Sequence, residues 1–261
     1  MNPAANTTPG RNELVCIARW SDSSNLVQET TLDSLSHRCL ALSRAAVEGA
    51  FLQIEHYLRL RPYLYHLSHR RNLKHIREIG RLFSASVLMK GSGKADLIRT
   101  RRNGSEPVTF VGRKIFIRDQ DPLYEGHMTL PDEYTLADFV AHLNKRIFFW
   151  PGTDKRPVPS GMGHFKRYAK EKPVILRIDC KALLARNPKV VPLFCLFNSG
   201  SPRCSPPDGR KSPRGPDIFQ SAAEFNEPPG RVVEVTFESE VVLPANSEVG
   251  SHPEGPWRAF L

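Results

Sequence analysis

The 261-residue chain predicts an α+β fold assembled from many short strands and helices. Three observations carry that expectation. From Tyr63 onward, short apolar strand patterns alternate with short helical ones, yet never as regular βαβ units. Neither a G-x-G-x-x-G loop nor a Walker A loop occurs, which argues against a dehydrogenase sheet and a P-loop NTPase. A hydrophobic share of 40% with 25% charged residues suits a protein with a sizeable core and excludes a disordered or fibrous chain.

Residues 1–12 read as a polar, disordered leader, and 13–62 as a helical N-terminal extension. Within it, apolar positions from Leu32 to Leu60 recur at helical spacing, Asp33 or Ser34 caps the start and Pro62 ends the run. The main domain then spans 63–261. Tyr63 to Leu67 is a strand. Asn72 to Ile79 is a helix that Gly80 stops. Val108 to Phe110 and Lys114 to Arg118 are strands around Gly112. Thr135 to Asn144 is helical, and Arg146 to Trp150 runs on as a buried strand. Ser160 to Lys170 is a helix, Val174 to Ile178 a strand, and Lys181 to Ala185 a helical turn. Val190 to Phe197 reads as an apolar strand, whereas Ser199 to Pro216 is too polar and broken to form an element. Arg231 to Phe237 is the last clear strand, with Val241 to Leu243 behind it.

The formal charge of +10 has a single source: residues 61–120 hold 14 Lys and Arg against 4 Asp and Glu, and the rest of the chain balances. Clustered base attracts polyanions, either nucleic acid or the diphosphate of a dinucleotide. The five cysteines are scattered and include no C-x-x-C, so reduced thiols are expected rather than a disulfide framework or thiolate zinc site. No apolar run approaches the ~20 residues of a membrane span, and the first residues lack an apolar signal core. The expected location is cytoplasmic.

Three places can carry chemistry. His66 lies in an aromatic strand and is followed by Ser68, His69 and Asn72; without a third ligand nearby, no metal is expected there. Glu234 stands in the middle of RVVEVTF, where a carboxylate is costly unless paired or facing a cleft. Strand alternation places it with Val232 and Thr236. Arg118 and Asp119 end one strand, while Asn144 and Arg146 lead into an aromatic one. Arginines there suit diphosphate or carboxylate. Phe148, Phe149 and Trp150 suit stacking on a flat ring, although at least one of the two phenylalanines belongs to the core.

YHLSHRRNLKHIREIGRLFS, with Tyr65, His66, Asn72, Leu73, Ile76 and Gly80, resembles the opening of the DarT-type ADP-ribosyltransferases. RVVEVTF followed by Val241 is similar to the strand that bears that family's catalytic glutamate. The likeness covers about residues 63–243, and IRDQDPL, LNKRIFFW and FNSGSPR look like motifs of a bacterial branch with the same frame. It departs from the family in having Phe148, Phe149 or Trp150 where a middle-strand tyrosine is usual, and in a Pro- and Arg-rich loop from Ser199.

The resemblance implies a split β-sheet core with flanking helices, and an enzyme that uses NAD as co-substrate without a metal. It implies transfer of ADP-ribose to nucleic acid, with a base of single-stranded DNA as the expected acceptor and nicotinamide as the product. Glu234 would support the oxocarbenium-like state, as carboxylates do in glycoside hydrolysis. Arg118 would assist in catalysis. His66, Ser68, Asn72, Arg146 and Phe149 would hold the dinucleotide, with the choice between Arg118 and Arg146 for the phosphates left open. Arg203, Arg210, Lys211 and Arg214, in the loop before the glutamate strand, would bind nucleic acid. Two other readings stay open: a transferase with a protein or small-molecule acceptor, and a nucleic-acid-binding module without activity on the same fold.

Overall fold

The computed structural model describes residues 51–204 and 208–261. The expected leader and all but the end of the expected N-terminal helical extension lie outside the described residues. What is described of the extension includes helix α1 (Ile54–Leu60), which stops just ahead of Pro62.

The chain then forms β1 (Tyr63–Ser68), α2 (Leu73–Ile79), β2 (Arg81–Phe83), α3 (Ala85–Gly91), β3 (Glu106–Phe110), β4 (Arg113–Ile117), β5 (Met128–Thr129) and α4 (Leu136–Asn144). It continues through β6 (Arg146–Gly152), α5 (Pro159–Tyr168), β7 (Val174–Asp179), α6 (Cys180–Arg186), β8 (Leu193–Cys195) and β9 (Ser212–Pro213). The last elements are β10 (Glu234–Glu238), β11 (Glu240–Val242), β12 (Glu248–Gly250) and β13 (Arg258–Ala259). The fold is α+β: a seven-stranded antiparallel sheet in the order β13-β12-β7-β1-β6-β10-β8, flanked by helices and three two-stranded pairs.

Local chemistry explains the boundaries. Gly80 ends α2 at φ 64°, a left-handed conformation that costs glycine little. Thr135 and Asp138 form a reciprocal capping box at the start of α4. Asp179 caps α6 by accepting the Ala182 amide at 2.7 Å. Two expected strands are shorter than their apolar runs. The run from Val190 pairs only over Leu193–Cys195, because Pro192 has no amide to give the ladder. RVVEVTF begins pairing at Glu234, since the Pro229–Arg231 turn occupies its first part. The segment 85–91, for which no element was expected, is a helix capped by Ser84.

The sheet is not zipped throughout. β1 pairs with β6 only from Tyr63–Gly152 to Tyr65–Trp150. Beyond that pair β1 runs on against β7 as far as Ser68, and β6 runs back against β10 as far as Arg146. The sheet therefore opens between His66 and Phe148. A core that includes Leu64, Phe149, Leu176, Phe194 and Phe237 packs against α1 and α6. The β3–β4 hairpin has its own small core with Leu88 and Met89 of α3. At ~25 cal/mol per Å2 of apolar area, each fully buried ring stabilises by about 2–3 kcal/mol, so the opening is held between well-packed supports.

Candidate functional site

A cavity of about 250 Å3 sits at this opening, lined from the sheet by His66, Ser68, Phe148 and Glu234, and from β4 and the residues after it by Phe116, Arg118 and Asp119. Glu234 is 2% exposed. Its Oε2 accepts the Ser199 amide at 3.0 Å and the Ser199 hydroxyl at 2.7 Å. Oε1 has no hydrogen-bond partner among the described residues. Burial pushes the carboxyl up to about 7, against the pull of the Ser199 hydrogen bonds and the Arg214 charge. The group is thus poised between acid and base at neutral pH.

His66 fills the place where the sheet parts. Its Nδ1 donates to the Phe148 carbonyl at 3.0 Å, which leaves Nε2 as a lone-pair acceptor without a partner among the described residues. Burial holds its pKa down at about 4, with the Arg118 charge adding to that effect, so the ring is neutral. Ser68 lies two residues on, buried, at the end of β1. His69 stacks on Phe116 with ring centroids 4.7 Å apart.

The two arginines separate by how their donors are used. Arg118 lies over the Tyr168 ring at 4.1 Å and reaches Glu171 through Nη1 at 3.0 Å. Its Nε and Nη2 are buried with no partner among the described residues. Arg146 spends Nη1 on the His142 carbonyl and Nη2 on Glu238, and covers Phe219 at 4.4 Å; among the described residues its Nε alone lacks a partner. Arg118 is therefore the better-equipped anion ligand, while Arg146 ties α4 to β10.

Three expected site residues have other work. Asn72 gives both ends of its amide to the Phe116 backbone, donating to the carbonyl and accepting from the amide at 2.9 Å each. It fixes β4 over the cavity, so its amide is committed to the fold. Phe149 is fully buried and packs edge-on against Phe237 at 5.5 Å. Phe148 and Trp150, on the opposite side of the strand, line the cavity instead. Arg214 is 3% exposed and does not form a nucleic-acid surface. Its guanidinium donates to the carbonyls of Ser199, Asn198 and Pro213 and to the Ser212 hydroxyl, over the Phe197 ring at 4.0 Å. It holds the turn that holds Glu234. Arg203, Arg210 and Lys211 are exposed, and Arg210 is paired with Asp208.

Sequence reasoning missed Ser199 and His164. Ser199 lies 35 residues from the carboxylate it clamps, and no spacing rule reaches that far. His164 of α5 lies between Trp150 and Tyr168, at centroid distances of 4.5 and 4.9 Å, and burial holds its pKa at about 3. Tyr168 in turn donates to Asp119 at 2.8 Å. Among the described residues no group of three His, Cys, Asp or Glu converges as a metal site. Nor is any described helix long and apolar enough to cross a membrane.

Fold and site define an α+β protein with an aromatic-walled cavity built on one buried carboxylate and an arginine with unspent donors. Residues 62–246 match a family of unknown function, DUF7002, and the chain belongs to that family. No curated protein and no solved structure matches it.

Proposed function

We propose that the protein is an NAD-dependent ADP-ribosyltransferase that modifies nucleic acid, with single-stranded DNA as acceptor. The observation that carries this reading is Glu234, buried with one oxygen clamped by Ser199 and the other without a partner among the described residues, in the same cavity as His66 at the opened sheet. An ADP-ribosyltransferase-like split core is the architecture that the opening between β1 and β6 suits best.

The residues fit the dinucleotide chemically. Arg118 offers a diphosphate its buried Nε and Nη2, which have no partner among the described residues, and Nε2 of His66 accepts from a ribose hydroxyl. Phe148, Trp150 and Tyr168 supply apolar walls for a flat ring. Ionised Glu234 stabilises the positive charge that develops on the ribose as nicotinamide leaves, an electrostatic effect strengthened by exclusion of water. Ser199 keeps the carboxylate aimed so that little reorganisation accompanies the step. Support for a polyanionic acceptor comes from Arg70, Arg71 and Lys114, exposed on the β1–α2 turn and on β4, both of which border the cavity. A base presented unstacked is the easier target, which favours single strands.

The test is incubation with NAD labelled in the adenylate, offered separately to single-stranded DNA, duplex DNA, RNA and protein. Label is expected in single-stranded DNA with stoichiometric nicotinamide release. No nicotinamide release in any pool by folded protein would overturn the transferase reading. Label confined to protein would replace the acceptor.

A further inference from the structure

A second cavity, of about 500 Å3, shares His164 and Asn198 with the first. One wall is a face of α5 carrying Gly163, His164 and Arg167; the others include Arg203 and Arg214. Among the described residues no Asp or Glu lines it. Arg214 contributes its charge but has spent four of its N–H donors on backbone carbonyls and Ser212. Arg167 and Arg203 are exposed and have neither an ion pair nor a hydrogen bond among the described residues, so both guanidinium forks are free.

The two glycines of α5 set this face apart. Gly161 is demanded by packing, because a Cβ there would meet the Trp150 side chain at 2.9 Å. Gly163 is not: a Cβ there would meet nothing within 4 Å, and its backbone is ordinary helix. A helix-interior glycine costs stability relative to alanine, and neither packing nor conformation explains it here. It leaves the helix backbone bare on the side that faces the cavity.

We propose that this second cavity is the acceptor-strand subsite, binding a phosphodiester of single-stranded nucleic acid through Arg167 and Arg203, with the bare backbone at Gly163 allowing its close approach. The inference rests on the nucleic-acid-directed transferase reading. Phosphate contacts fix register along a strand. A strand anchored here lies beside Asn198, one residue from the Ser199 clamp on Glu234. The diphosphate of NAD has the same chemistry, so the experiment separates the two sources.

Binding of fluorescein-labelled hexathymidylate is measured by anisotropy without NAD, and NAD binding by calorimetry, on the full chain. Gly163→Leu fills the cavity with a good helix former, and Arg167→Ala and Arg203→Ala each remove one fork. Each variant is expected to lose about tenfold or more in hexathymidylate affinity, the strength of a hydrogen bond to a charged group. The arginine variants should also show a salt slope shallower by about 0.7. NAD affinity should not change. Unaltered hexathymidylate binding in the arginine variants would overturn the subsite, and should Gly163→Leu fail to fold, they alone decide it. Loss of NAD affinity in folded Gly163→Leu would also overturn it, assigning the cavity to the dinucleotide. If the variants lose hexathymidylate while wild type binds no NAD, phosphodiester binding at this cavity stands, and the transferase reading falls together with the acceptor role.

Discussion

Nδ1 of His66 donates to the carbonyl of Phe148 at 3.0 Å, the two residues lying one and two steps past Tyr65 and Trp150, the last backbone pair between β1 and β6. A side chain thus satisfies a carbonyl that the parted strand leaves behind. The same bond fixes the tautomer that turns Nε2 into an acceptor.

His66→Ala is expected to strand that carbonyl, at a cost of about 1–3 kcal/mol in urea unfolding at pH 7.5, and to weaken NAD binding in calorimetry. With its pKa held down from 6.5 to about 4, His66 contributes stability that is fully present above pH 6.5 and lost as pH falls toward 4. The variant's stability should therefore depend less on pH in that window. An unchanged profile would mean that His66 is solvated.

Glu234 behaves oppositely. Its pKa is raised from 4.5 to about 7, so between those values the folded protein keeps a proton that the unfolded chain has released. Its contribution to stability is greatest below pH 4.5 and declines as pH rises to about 7, by roughly 3 kcal/mol. Glu234→Gln should melt higher than wild type at pH 8 and about equally at pH 4. Its transfer rate should fall by ~10²–10³ with NAD binding retained. Wild-type activity should rise through a limb near pH 7. A fully active Glu234→Gln would move the role to another residue.

Arg118 separates ligand binding from stability. Its buried Nε and Nη2 have no partner among the described residues to lose, so Arg118→Met should cost about 1–2 kcal/mol in unfolding, the scale of one ion pair and one cation–π contact. NAD affinity should nonetheless drop by about tenfold or more. A large loss of stability without a change in NAD affinity would make Arg118 structural.

Arg214 should show the reverse weighting. Arg214→Met removes four donor contacts and takes its partner from the carbonyl of the buried Ser199, at a cost of about 3 kcal/mol. Because Arg214 holds the Glu234 pKa down, its loss should move the activity limb to higher pH. A merely structural arginine would lower the folded fraction without moving the limb, and the pH profile of the remaining activity decides between them.

Much of this was written into local sequence. Apolar runs placed β1, β6, β7 and β10, Gly80 marked the end of α2 and Pro62 that of α1, because backbone conformation within a few residues is governed by those few residues. His66, Arg118 and Glu234 stood out because each is a polar group in an apolar run, where it needs a reason. The tertiary structure decided what those groups face. Alternation sends Phe148 and Phe149 to opposite sides but cannot say which side holds the cavity; the pairing of β6 with β10 does. Arg214 is as basic in sequence as Arg210, yet one is buried on carbonyls 15 and 16 residues away while the other is exposed. Ser199 and His164 acquire their roles only when the turn after β8 meets β10 and α5 packs against Trp150. Such contacts depend on chain closure over tens of residues, which no local period encodes.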